Sequence, residues 1–183
     1  MRVAPALIFA LAGVLGSAAP ASAQEKGDNG ITMGYPLSVG LVTHISDRLA
    51  LRPELQLSWT TSETQSPFPA TNVDSSLVGV GVSALIYIGD VDKLRTYICP
   101  RYVFGRTSIT SLSPFGDSSE NSVKSHTLVG SFGAQYSLHE RFSVFGEVGV
   151  GVTSDRRRSS FTTTSTEMTT VNTRTGVGLV FYF

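Results

Sequence analysis

Charged side chains are scarce in this chain, and those that interrupt apolar segments are the first candidates for chemistry. Charged residues make up 15% of the 183 residues, with 14 Lys and Arg against 14 Asp and Glu. Five of them stand where apolar and polar residues alternate: Arg52, Glu54, Arg101, Glu147 and Arg174. Gathered in one interior, three guanidinium groups and two carboxylates could line an ion path, or they could form a salt-bridge plug that fixes strand register. We expect the plug, because buried charges persist where they are paired.

Catalysis by a nucleophile or a metal finds little support among the other reactive side chains. The chain has three histidines, His44, His126 and His139, and a single cysteine, Cys99. A lipid-modifying enzyme could use His126 beside Ser125, but adjacent strand residues point to opposite faces and no acid is placed to orient the imidazole. No spacing of His, Cys, Asp and Glu matches a metal site. We expect no enzyme activity, metal or cofactor, and we expect Cys99 to be a small buried filler rather than a reactive thiol.

Strands must position the five charges, because the segments around them alternate with a period of two. In residues 49–60 (LALRPELQLSWT) the odd positions are apolar and the even positions mostly polar, which is typical of a strand with different surroundings on its two faces. Six more segments repeat the pattern, and their lengths suit membrane-spanning strands of about 9–11 residues. These segments are residues 37–45, 78–88, 96–106, 126–138, 142–152 and 171–183.

The connections between these segments alternate between short and long. Short connections are predicted at residues 46–48, 90–95 and 139–141. Long, Ser- and Thr-rich connections are predicted at residues 61–76, 107–123 and 153–170. A closed barrel needs an even strand count, so residues 26–34 (KGDNGITMG) are the candidate first strand, followed by a tight turn at Tyr35-Pro36. The sequence thus predicts an all-β, antiparallel, up-and-down transmembrane barrel of eight strands, whose narrow interior favours the plug.

Two barrel types could use these alternating faces. A soluble lipocalin-like barrel would turn the apolar faces inward around a greasy ligand, whereas an outer-membrane barrel would turn them outward to lipid. The polar faces carry many Gly residues and small hydroxyls, which suit a narrow interior, so we expect the apolar faces outside. Seven aromatic residues near the strand ends could form two interfacial girdles: Trp59, Tyr102, Phe104, Tyr136, Phe142, Phe181 and Phe183. Pro53 and Pro100 lack a backbone donor and predict local irregularities.

The first residues have the organisation of a secretory signal peptide. Arg2 supplies the positive start, residues 3–15 are apolar, and Ala21-Ser22-Ala23 is a small-residue cleavage site. We expect cleavage after residue 23 and one barrel domain over residues 24–183, with a net charge near −1 that implies no nucleic-acid partner. No later apolar run is long enough for a transmembrane helix, so a lipid-embedded mature chain must be a closed barrel.

Three segments of the mature chain, together with the signal, carry a resemblance to a known family. They are SDRLALRPEL at residues 46–55, FGEVGVGV at 145–152 and GVGLVFYF at 176–183. The chain resembles the small outer-membrane β-barrel family, the OmpA/OmpX-like barrel domains. The resemblance implies a place in the outer membrane of a Gram-negative bacterium, surrounded by lipids and lipopolysaccharide. It also implies recognition by the barrel assembly machinery through the terminal pattern of Val177, Leu179, Phe181 and Phe183.

The family resemblance leaves the function broad, since such barrels act as structural anchors, adhesins, immune-evasion proteins or small pores. We expect a monomer with a plugged interior and a structural or surface-interaction role through its long extracellular loops. Arg156, Arg157 and Arg158 could bind lipopolysaccharide phosphates or an anionic host surface, or they could simply keep a loop solvated. The alternative function is a narrow porin-like channel for ions or small solutes, and an enzyme that modifies lipid A through His126 ranks third.

Overall fold

The computed structural model describes residues 27–64, 71–112, 118–159 and 165–183. Eight strands cover nearly all of these residues: β1 (Asn29–Tyr35), β2 (Ser38–Ser46), β3 (Leu49–Thr64), β4 (Thr71–Val91), β5 (Leu94–Leu112), β6 (Ser118–His139), β7 (Phe142–Ser159) and β8 (Ser165–Tyr182). Each strand pairs antiparallel with the next, and β8 pairs with β1 to close the barrel. The predicted eight-stranded up-and-down fold is therefore confirmed, whereas the predicted signal at residues 1–23 lies outside the described ranges.

The first strand differs slightly from its prediction. It begins at Asn29 rather than at residue 26 and ends at Tyr35 rather than at residue 34. Gly27 adopts a positive φ of 101°, which directs the chain into a turn and delays the extended backbone. Strand β1 nevertheless pairs with both β2 and β8, so it closes the barrel as the even strand count required.

The long connections are shorter than the sequence predicted. Strand β3 runs to Thr64 and β4 begins at Thr71, although residues 61–76 were expected to form a loop. Strands β5 to β8 likewise extend into the other two segments that were predicted as loops. The apolar alternation stops there because both faces of the wall are polar, while Thr-rich segments retain a high strand propensity. We call this side of the barrel the loop end, and the side of the two-residue turns at 47–48, 92–93 and 140–141 the short-turn end.

The apolar faces point outward, so the lipocalin-like alternative is wrong. Exposed outward residues of the wall include Leu55, Val80, Phe132, Val150 and Phe181. Five of the seven aromatic residues expected near the strand ends are exposed on the same surface: Trp59, Tyr102, Tyr136, Phe181 and Phe183. The outward side chains of all eight strands thus form an apolar belt, whereas the inward side chains are mostly polar or buried.

The interior of the short-turn end is filled by an aromatic core. The His44 and Tyr87 rings stack with centroids 5.5 Å apart, and Tyr97 meets Tyr87 edge-on at 5.6 Å. Gln135 donates to the Tyr182 hydroxyl at 2.9 Å and accepts a hydrogen bond from the Tyr87 hydroxyl at 3.3 Å. The apolar bodies of these side chains fill the lumen, and the polar ends of Tyr87, Gln135 and Tyr182 bond to one another.

A close approach of ring and backbone explains one glycine of the interior. A Cβ atom at Gly133 on β6 would collide with the Tyr97 ring, which lies across the bare backbone there. The tyrosine can fill the lumen only because the opposing position has no side chain.

Both prolines coincide with gaps in the strand pairing. The β2–β3 ladder has no partners between Leu51 and Glu54, on either side of Pro53. The β4–β5 ladder is likewise interrupted between Ile98 and Arg101, at Pro100. The predicted irregularities are confirmed, and neither one shifts the register.

One side of the wall is incomplete toward the loop end. Strand β1 stops at Tyr35, opposite Val177 of β8, and β2 starts at Ser38, opposite Gln56 of β3. Above this hairpin, residues 58–64 of β3 and 165–176 of β8 each lack a strand partner on the facing side, and no pairing joins β3 to β8 within the described ranges. We call this opening, bounded by those two strand edges and the 35–38 turn, the side gap.

Candidate functional site

The five predicted charges all occupy inward positions of the wall, and four of them meet at mid-height. Arg52 on β3, Ser83 on β4 and Arg101 on β5 lie in one row of cross-strand partners. Glu147 on β7 is flanked by Gly133 of β6 and Gly176 of β8. The small neighbouring residues leave room for the long charged side chains to cross the lumen.

Glu147 is held by an arginine on each carboxylate oxygen. Arg52 Nη2 lies 2.6 Å from Glu147 Oε1, and Arg101 Nη2 lies 2.6 Å from Oε2. The Tyr97 hydroxyl also donates to Oε1 at 3.0 Å, which ties the carboxylate to the aromatic core. Hydrogen bonds between ionised partners at these distances are among the strongest that side chains form.

Glu54 completes the set from the wall of β3. Its Oε1 lies 3.3 Å from Arg101 Nε and accepts a hydrogen bond from Gln56 Nε2 at 2.9 Å. Its Oε2 lies 3.7 Å from Arg52 Nε. The four side chains Arg52, Glu54, Arg101 and Glu147 thus form a closed ring of ion pairs, which we call the charge ring. None of the four side chains is more than 6% exposed.

The charge ring rests on the aromatic core and is supported from its sides. The Arg52 guanidinium lies 5.2 Å from the centroid of the Phe145 ring, and its Nη2 lies 3.7 Å from Cys99 Sγ. Arg101 Nε also donates to Ser83 Oγ at 2.8 Å. Because β3 and β7 are not neighbouring strands, the Arg52–Phe145 contact bridges the lumen, whereas the Arg101–Ser83 hydrogen bond joins the neighbouring strands β5 and β4.

Arg174 does not join the charge ring. It lies on β8 opposite Gly149, two residues closer to the loop end than Gly176, the partner of Glu147. It lines a small cavity of about 20 Å³ together with the charge ring, and among the described residues no carboxylate lies within ion-pair distance of it. The five side chains therefore carry three positive charges against two negative charges.

A second cluster of polar and aromatic residues, at the short-turn end, escaped the sequence analysis. The Arg95 guanidinium lies 3.9 Å from the centroid of the Tyr87 ring, and Nη2 donates to the Asp47 carbonyl oxygen at 2.5 Å. The residue stood in a predicted turn, but β5 already begins at Leu94 and turns its side chain inward. The sequence feature that could have predicted this cluster is the presence of Tyr87, Tyr97 and Tyr182 on polar strand faces, because an apolar ring with a hydroxyl suits a filled lumen.

The residues proposed for assembly and for loop contacts lie on the outside. Val177, Leu179, Phe181 and Phe183 are all exposed at the end of the chain. Arg156 is exposed on β7 and forms an ion pair with Glu167 of β8, with Nε 2.9 Å from Oε1. The side chains of Arg157 and Arg158 lie outside the described part of the structure, so their predicted contacts stay predictions.

The candidate catalytic histidine is part of an aromatic group on the outer surface. His126 Nδ1 lies 2.8 Å from the Tyr102 hydroxyl, and the imidazole packs on Phe104 at 5.1 Å between centroids. Within the described ranges, no group of three or more His, Cys, Asp or Glu side chains is placed to hold a metal, and no helix is long and apolar enough to cross a bilayer. Cys99 is fully buried beside Arg52, as expected of a filler.

Comparison with solved structures finds bacterial outer-membrane proteins. A major outer membrane protein from Thermus thermophilus superposes with a TM-score of 0.59 at 10% identity, covering 85% of this chain and 98% of that one. The N-terminal barrel domain of Pseudomonas aeruginosa OprF matches at 15% identity with a TM-score of 0.44 (87% and 100% covered). The attachment invasion locus protein Ail of Yersinia pestis matches at 12% identity and 0.45 (85% and 94%).

No protein-family model and no curated protein matches the sequence. At these identities the Thermus likeness establishes the fold alone, which is the fold of a small outer-membrane β-barrel.

Proposed function

We propose that the protein is an integral outer-membrane barrel that is closed to solutes and acts at the cell surface, in a structural or adhesion-like role. The charge ring carries this proposal. Four buried side chains from three strands cross the lumen at mid-height, directly above an aromatic core that fills the short-turn end. A solute could pass only by separating paired charges and displacing packed rings.

The apolar belt supports insertion in a bilayer. Outward positions of every strand are apolar around the barrel. Because the strands form a closed barrel, their backbone N–H and C=O groups are hydrogen-bonded to neighbouring strands wherever the wall is paired, as a lipid environment requires. The short turns would face the periplasm and the loop end the exterior, with lipids and lipopolysaccharide as the surroundings. Export through cleavage after residue 23, recognition of the Phe183 end by the assembly machinery and a monomeric state belong to the same proposal.

The length of the strands supports a role outside the cell. Strands β4 and β6 have 21 and 22 residues, about twice the length that spans an outer membrane. Beyond the belt, the outward side chains of these extensions are polar, as at Asp74 on β4 and Lys124 on β6, and Arg156 on β7 is polar in the same way. The extensions would raise the connecting loops above the membrane surface, where a rigid scaffold can present them to a partner.

The contacts of His126 support the expectation that the protein is not an enzyme. A catalytic imidazole would need a nucleophile and an orienting acid within hydrogen-bond reach. The hydrogen-bond partner of His126 is instead the hydroxyl of Tyr102, and its neighbour in the stack is Phe104. These contacts suit a structural aromatic group at the edge of the belt.

Cell fractionation with gel mobility tests the location. The full chain is expressed in a Gram-negative host, and the outer membrane is run on a gel both boiled and unboiled. We expect recovery from the outer membrane and a heat-dependent mobility shift, because a folded barrel resists unfolding by detergent at room temperature. Recovery as a soluble periplasmic protein without a shift would contradict the proposal.

A further inference from the structure

At the edge of the side gap near Tyr35, one small cavity is lined by residues from both faces of the wall. The small cavity beside the charge ring is lined by inward residues such as Arg174 and Glu54 and also by Tyr35 and Val177, which point outward. The wall is incomplete next to this cavity because β1 ends at Tyr35 and leaves the edge of β8 without a strand partner. A ligand at this place could therefore have one part inside the barrel and another part outside it.

An apolar groove begins on the outside of the wall at the same point. Its volume is about 710 Å³, within the range of small-molecule sites. The floor follows one row of cross-strand partners, from Ala134 through Gly146 and Val177 to Tyr35. Those three steps between strands of about 4.8 Å each give the row a length of roughly 14 Å.

The groove exists because Gly146 contributes no side chain to its floor. Gly146 faces outward, and a Cβ atom there would meet nothing within 4 Å. Larger apolar residues flank it, among them Met33, Tyr136 and Leu179. An apolar groove of this kind suits a hydrocarbon chain.

The groove and the cavity share part of their lining: Gly34, Tyr35, Phe145 and Val177. On the lumen side of these residues lies Arg174, the one arginine of the five charges outside the charge ring. The five side chains together carry one excess positive charge. An occupant that complements both parts has one negative charge at one end and an apolar chain at the other.

We propose that the side gap binds a single-chain amphipathic anion of the long-chain carboxylate class. Its carboxylate accepts hydrogen bonds from the Arg174 guanidinium within the lumen, and its chain passes over Tyr35 and Val177 into the outer groove. One excess charge favours a monoanion, and one groove favours one chain. The proposal requires that the barrel lies in a bilayer, as proposed above.

Photolabelling in nanodiscs tests the proposal with the full chain. Phosphatidylcholine nanodiscs holding the folded protein are exposed to a diazirine analogue of palmitic acid, to the corresponding fatty alcohol, and to a diazirine phosphatidylglycerol with two chains. Labelled peptides are identified by mass spectrometry, and a heat-dependent mobility shift establishes for each variant that the barrel is folded. A wild-type chain that shows no mobility shift would contradict the proposed function rather than the ligand site.

We expect the acid to label residues around Gly146, Val177 and Tyr35 and to do so more strongly than the other two probes. Arg174→Gln should lower labelling by the acid about tenfold, the loss expected when a charged hydrogen-bond partner is removed. Arg174→Lys should restore most of it. Arg106→Gln, which changes an exposed arginine on the outer face of β5, should leave labelling unchanged.

A second pair of variants tests the groove by itself. Gly146→Leu should fill the floor and abolish labelling by the acid, whereas Gly130→Leu should not. Gly130 serves as the control because it also faces outward with no atom within 4 Å of a Cβ, but it lies outside the groove. Equal labelling by acid and alcohol, equal labelling by phosphatidylglycerol, or an unchanged result with Arg174→Gln in a folded barrel would each overturn the proposal.

Discussion

The two halves of the barrel are built on opposite plans. At the short-turn end, all eight strands are paired around the ring and the lumen is packed with buried residues such as Val42, Tyr97 and Tyr182. At the loop end, the β1–β2 hairpin is missing from the wall, and inward positions such as Ser58 and Asn172 are polar and exposed. A filled lumen makes the closed half rigid, whereas the half that meets water needs neither closure nor packing.

The charge ring lies at the boundary between these halves. Below it, apolar contacts exclude water, and above it, polar groups are exposed. Paired charges suit this boundary because their mutual contacts replace hydration without requiring an apolar environment. The stability of this barrel should therefore depend on the charge ring and the aromatic core and only weakly on the wall of the loop end.

The largest expected effect comes from removing the carboxylate at the centre of the charge ring. Glu147→Ala leaves Arg52 and Arg101 facing one another without it and should destabilise the barrel by about 3–5 kcal/mol, as expected for a broken buried pair. Urea unfolding in lipid vesicles, followed by Trp59 fluorescence, gives the midpoint. Glu167→Ala removes a carboxylate from the exposed pair at the loop end and is the matched control. An unchanged midpoint for Glu147→Ala would contradict the ring.

A smaller loss is expected from overfilling the aromatic core. Gly133→Val places side-chain atoms against the Tyr97 ring and should lower stability by about 1–3 kcal/mol. Gly130→Val, three residues earlier on the same strand but facing outward into open space, should have little effect. The same urea titration distinguishes them, and equal midpoints for the two variants would show that the closed half is less tightly packed than described.

The smallest effect is expected from breaking an exposed ion pair in the wall of the loop end. Arg156→Ala breaks the ion pair with Glu167, in which both side chains are more than half exposed. Exposed pairs contribute about 0–1 kcal/mol and are screened by salt, so the loss should be small and should vanish at high ionic strength. A loss as large as that of Glu147→Ala would remove the contrast between the halves.

The period-two pattern of the sequence predicted most of the fold. It identified seven strands and the direction of both faces, since alternation along one strand depends only on its own residues. The loops were predicted too long because alternation ends where both faces meet water, although Thr-rich segments such as the start of β8 remain strands.

The candidate site could be predicted only in part. Counting residues from the short-turn ends predicts Glu54, Arg101, Glu147 and Arg174 near mid-height. The structure instead places Arg52 in the charge ring with the first three, and Arg174 outside it. That Arg174 stands apart follows from the cross-strand register, which places Gly176 and not Arg174 beside Glu147. The side gap could not be predicted for the same reason. The sequence indicates the turn after Tyr35, but only the cross-strand register shows how far along β8 that turn lies.

Conductance in planar bilayers shows whether the charge ring and the aromatic core close the lumen. The purified, folded barrel is inserted and current is recorded against voltage, with the folded Glu147→Ala variant as comparison. We expect no steady current above background from the wild-type barrel, and occasional openings from the variant because its arginines are no longer held across the lumen. Steady, ion-selective current through the wild-type barrel would mean that the lumen is open and would favour a narrow channel instead.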